Sequence, residues 1–67
     1  MTSKMEAEIM RLIKEIEELE VEIDYAERNL RNSVLTDGEI RYNTISIEAN
    51  VRAVERRMKL LVIINKG

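Results

Sequence analysis

Apolar residues recur along this chain at spacings that alternate four and three, and they do so twice. The first series is Met5, Ile9, Leu12, Ile16, Leu19, Ile23, Ala26 and Leu30. The second is Ile40, Thr44, Ile47, Val51, Val54, Met58, Leu61 and Asn65. A 4-3 alternation brings every member of a series onto one stripe of an α-helix, which is the heptad pattern of coiled coils. A strand would need alternation with period two. The chain is therefore predicted to be all-α, built from two long amphipathic helices. Proline, which would break either series, does not occur.

The segment between the two series sets the topology. Ser3 with Glu6 and Thr36 with Glu39 each have the spacing of a capping box at a helix start. Leu35 and Ile40 flank the second cap at the spacing of a hydrophobic staple. Asp37 and Glu39 place negative charge where the helix dipole favours it. These signals predict a single domain over 1–67, with helix 1 over about 4–32, a turn over about 33–37 and helix 2 over about 38–65. A short turn makes the arms antiparallel, so the fold class is an antiparallel two-helix hairpin, coiled-coil-like. Asp37-Gly38 followed by the β-branched run to Ile47 supports a competing β-hairpin reading. The unbroken heptad phase from Ile40 and the near-equal arms favour the helices.

Charge supports antiparallel pairing. Residues 1–32 hold five basic and nine acidic groups, and residues 36–67 hold six basic and four acidic groups. The arms thus carry -4 and +2, which accounts for the chain total of -2. Two copies of helix 1 side by side in parallel would set Glu15 against Glu20 and Glu22 against Glu27, which is unfavourable.

A chain of 67 residues is too short to bury a large core. It has neither Cys nor His, so disulfides are excluded and a zinc site of the usual kind has no ligands. Self-association is then the expected source of added stability, with two hairpins forming a four-helix bundle. The apolar surface widens at the open end, away from the turn. The expected oligomer interface is Met10, Ile13, Met58, Leu61, Ile63 and Ile64.

Several function classes find no support. There is no Gly-rich loop and no inward Glu-x-x-His motif, so no catalytic residue, metal site or cofactor is predicted and the chain is read as not an enzyme. The acidic run Glu15, Glu17, Glu18, Glu20, Glu22 and Asp24 is read as a solvated face. The longest apolar run, Leu60 to Ile64, is far shorter than the roughly 20 residues of a membrane span, and no signal-peptide core is evident, so the location is expected to be cytoplasmic. Absence of His, Gln, Cys and Trp alongside abundant Glu, Arg and Ile suggests a thermophilic source.

The functional expectation is a non-enzymatic protein–protein interaction or assembly module: an adaptor, scaffold or small regulator acting as a homo-oligomeric bundle. Its partner is itself, as a homodimer, or another helical protein. The alternative is a nucleic-acid binder using a basic face of helix 2, formed by Arg52, Arg56, Arg57 and Lys59. In outline such a hairpin is similar to Rop-type RNA-binding helical hairpins, and in length and topology to the two-helix protein of the large ribosomal subunit. The latter is strongly basic, whereas this chain is acidic.

Overall fold

The computed structural model describes residues 3–32 and 34–66. It is a helical hairpin: α1 runs Lys4–Leu30 and α2 runs Asp37–Lys66, packed against each other. No strand occurs among the described residues, and Glu39 to Ile47 lies wholly within α2. The α1 end falls two residues before the expected bound, and each α2 end extends one beyond it, within the usual spread of helix-end definitions. Ser33, placed in the expected turn, lies outside the described residues. The long axis is 51 Å and the cross-section 20 by 13 Å, the proportions of two helices side by side.

Both helix starts are set by the caps foreseen in the sequence. The Ser3 hydroxyl accepts from the Glu6 N–H at 3.1 Å. At α2 the exchange is reciprocal. The Thr36 hydroxyl accepts from the Glu39 N–H at 3.1 Å, and the Glu39 carboxylate accepts from the Thr36 N–H at 3.4 Å. At the far end of α1 the Arg31 and Asn32 N–H groups bond to the carbonyls of Arg28 and Asn29, which tightens the last turn.

Two opposite substitutions test this start. Loss of the cap in Thr36→Ala is expected to lower stability by about 1 kcal/mol. Gly38, in contrast, has no positive φ, and a Cβ there would meet only the Thr36 hydroxyl oxygen, at 3.9 Å. Gly38→Ala is therefore expected to raise stability by about 0.4–1 kcal/mol through the unfolded chain. Urea unfolding of both variants gives the two signs; a destabilised Gly38→Ala would count against a helical Gly38.

The core is thin. Among the described residues only Leu12, Ile16, Ala26 and Val54 are buried apolar side chains, with Ile9, Leu19, Ile23, Leu30, Ile47, Leu61 and Ile64 half-buried around them. On α1 the inward face matches the expected stripe from Ile9 to Leu30, and only Met5 stays exposed. On α2 it does not match. The inward face there is Asn43, Ile47, Asn50, Val54, Arg57, Leu61 and Ile64, whereas the expected members Ile40, Thr44, Val51, Met58 and Asn65 are exposed. Helix 2 is turned so that alternate seam positions fall one residue earlier than its apolar pattern indicates. The physical reason lies across the seam, where helix 1 offers polar groups that Arg57 and Asn43 satisfy.

Candidate functional site

Two features distinguish this hairpin from a plain apolar pair: a row of polar contacts along one side and an uncovered apolar strip along the other.

The polar row is built from residues seven apart on α2, at Asn43, Asn50 and Arg57. The Arg57 guanidinium donates to the Glu15 carboxylate at 2.9 Å and to the Ala53 carbonyl at 3.0 Å. Both side chains of the ion pair are about two-thirds covered. Near the turn, the Asn29 amide donates to the Asn43 carbonyl oxygen at 3.4 Å, and the Asn43 amide donates to the Glu39 backbone carbonyl at 2.8 Å. Between these two pairs α1 advances fourteen residues and α2 goes back fourteen, so the antiparallel register has no slip. The same register sets Glu22 opposite Asn50 and Glu8 opposite Ile64. Glu8 and Ile64, with Lys4 and Met5, line one open recess at the free end.

Charge is concentrated at one end of this row. Arg11 bridges Glu8 and Glu15, bonding the latter at 2.8 Å. Donation from Arg57, then the nearby charge of Arg11, holds the Glu15 carboxyl below its ordinary pKa of 4.5 despite partial burial, which opposes the shift. The Arg11 hydrogen bond does the same for Glu8 and raises the Arg11 pKa. A carboxyl whose folded pKa is depressed contributes stability that is complete above the unfolded value and lost as pH falls through the folded one. Melting temperature is thus expected to hold above about pH 5 and to drop steadily below pH 4.5, the unperturbed carboxyl value. In Glu15→Gln the drop should be shallower, as followed by circular dichroism at stepped pH. An acid limb of unchanged slope would remove Glu15 from that account.

The apolar strip lies on the other side. At about 100° of rotation per residue, Ile9 and Ile13 sit roughly 120–160° round α1 from Glu15, and Val51, Met58 and Val62 sit roughly 100–140° round α2 from Arg57. Ile9 is half-buried; Ile13, Val51, Met58 and Val62 are 37–53% exposed. A second shallow recess, lined by Met58, Lys59, Val62 and Ile63, opens beside this strip.

The residues singled out from sequence are thereby divided. Ile13 and Met58 lie on the apolar strip. Met10 and Ile63 project away from the hairpin and are exposed, whereas Leu61 and Ile64 are half-buried against helix 1. Of the basic residues, Arg57 faces helix 1 and is held by Glu15. Arg52, Arg56 and Lys59 are exposed on the outer ridge of α2. Among the described residues none of these three makes an ion pair, so the Glu48–Arg52 and Glu55–Lys59 pairs that their spacing allows do not form. Glu17, Glu18, Glu20, Glu22 and Asp24 are exposed, and Glu15 alone of that run turns to the seam. Among the described residues no three His, Cys, Asp or Glu side chains converge to hold a metal ion, and no helix is long and apolar enough to cross a membrane.

Sequence reasoning missed Asn29, Asn43 and Asn50. Their signal was present: polar residues spaced by seven beside an apolar series are a common device for fixing helix register. No protein-family model, curated protein or solved structure matches this chain.

Proposed function

We propose that this protein is a non-enzymatic interaction and assembly module, and that it acts as a homodimer in which two hairpins form a four-helix bundle. One observation carries this reading: the surface left uncovered. A compact monomer of 7.9 kDa is expected to expose about 4,400 Å². The hairpin exposes 5613 Å². The excess is larger than the roughly 800 Å² per partner that a standard protein–protein interface buries. Much of it is apolar, because side chains such as Ile13, Met58, Val62 and Leu60 remain 42–53% exposed around a core of four buried apolar residues among those described. Sedimentation equilibrium tests the proposal. The expected mass is twice 7.9 kDa, and a stable, folded species at the mass of one chain would refute it.

A second reading has one observation in its favour. Arg52, Arg56 and Lys59 form an outward basic ridge that takes part in no ion pair among the described residues. Such a ridge, doubled in a dimer, suits nucleic-acid phosphates. Gel shifts at low salt separate the readings: binding lost in Arg52→Glu/Arg56→Glu would support the nucleic-acid role, and no shift would leave the assembly role alone.

A further inference from the structure

We infer that the second copy docks on the apolar strip with both turns at the same end of the bundle, so that helix 1 of one copy lies beside helix 2 of the other. The inference rests on the reading that the chain is a homodimeric module, and adds the face and the direction.

The occupant follows from charge and from shape. A two-fold interface places one surface against itself. Two face-to-face arrangements then exist for a hairpin. With the axis along the helices, the turns coincide and α1 meets the partner's α2. With the axis across them, the turns lie at opposite ends and α1 meets the partner's α1.

The strip is apolar on both helices only in its outer half. There Ile9 and Ile13 face Met58 and Val62 across the hairpin. Nearer the turn the α2 edge of this side continues as Val51, Thr44 and Ile40, but the α1 edge carries Glu20 and Glu27, all of them exposed. Coincident turns superpose the two apolar halves, so each Ile13 and Met58 meets apolar atoms. Opposed turns would press each Ile13 against the Glu20 and Glu27 region of the other copy's helix 1, which leaves carboxylates facing apolar surface.

Charge selects the same arrangement. The α1 edge of this side is lined by Glu6, Glu17 and Glu20, and the α2 edge carries Arg41, Arg52 and Lys59 among Glu48 and Glu55. Beside each other, the -4 arm and the +2 arm attract; two -4 arms repel. The polar row of Asn29, Asn43, Glu15 and Arg57 then stays outside, on the side of each hairpin facing water.

The chain has no cysteine, so a single label site can be introduced cleanly. Val34, 83% exposed beside the turn, is the position of choice. A nitroxide on Val34→Cys, read by pulsed electron paramagnetic resonance in the dimer, is expected to give a distance under about 30 Å, since neighbouring helices lie roughly 10 Å apart. A distance near 45 Å, about the length of a thirty-residue helix, would overturn the arrangement while leaving the dimer intact. A labelled protein at the mass of one chain would instead overturn the reading beneath it. The face is tested separately by two exposed methionines: Met58→Glu is expected to shift the mass to one chain, and Met10→Glu to leave it at two. The reverse pattern, or loss of the dimer in both, would show that another face is used. A Met58→Glu variant that fails to fold leaves the Val34→Cys distance to decide.

Discussion

Leu12→Ala is expected to cost about 2–5 kcal/mol and to abolish most of the helical signal at 25 °C. Leu12 is 1% exposed and is the one large side chain that the hairpin encloses fully among the described residues. Truncation removes its transfer free energy and leaves a cavity that two stiff helices collapse into poorly. A domain this small holds only about 3–5 kcal/mol in total, so the loss is comparable to the whole. Val21→Ala serves as the comparison. Val21 is 68% exposed, and its truncation should change stability by less than about 0.5 kcal/mol. Urea titrations followed at 222 nm give both numbers. A Leu12→Ala variant within 1 kcal/mol of the parent would mean that the core does not lie between these two helices.

Joint replacement of the turn-end asparagines, Asn29→Leu/Asn43→Leu, is expected to act in the opposite direction and to stabilise by about 1–2 kcal/mol. The Asn29–Asn43 hydrogen bond is 3.4 Å long, beyond the usual range. Its net contribution is about 1 kcal/mol at most. Asn43 is 8% exposed, so a leucine there would bury apolar surface worth about 1.5–3 kcal/mol, reduced by some overpacking. The single substitution Asn43→Ala should instead cost about 1–3 kcal/mol, because it deprives the half-buried Asn29 amide of its partner and opens a gap. Thermal melts of the three proteins should therefore fall in the order double variant, parent, Asn43→Ala. If the double variant melts lowest, the asparagine pair contributes far more than its geometry indicates. What the pair supplies, on this account, is alignment: with Glu15–Arg57 it allows one register of the two arms, which an all-apolar seam would leave free to slide.

Much of this architecture is legible in the amino-acid order because it is local. Helix starts are written in Ser3 and Thr36 with the glutamates three residues later, and those bonds form within one turn. The inward face of helix 1 is legible for a similar reason. Its apolar stripe is narrow, and acidic residues border it closely, so only one rotation buries Ile9 through Leu30. The rotation of helix 2 is a different matter. Its apolar residues spread over a stripe wider than one partner helix can cover, and a 4-3 count fits two overlapping seams equally well: Ile40, Val51 and Met58 on one edge, Asn43, Asn50 and Arg57 on the other. Periodicity alone favours the more apolar edge. Tertiary structure decided for the polar one, because Glu15 meets Arg57 across 42 positions of chain and Asn29 meets Asn43 across 14. Contacts between residues that far apart leave no trace in a local pattern. The same turn of helix 2 that satisfied those groups left Val51, Met58 and Val62 uncovered, which is why an apolar strip lies on the side away from the polar row.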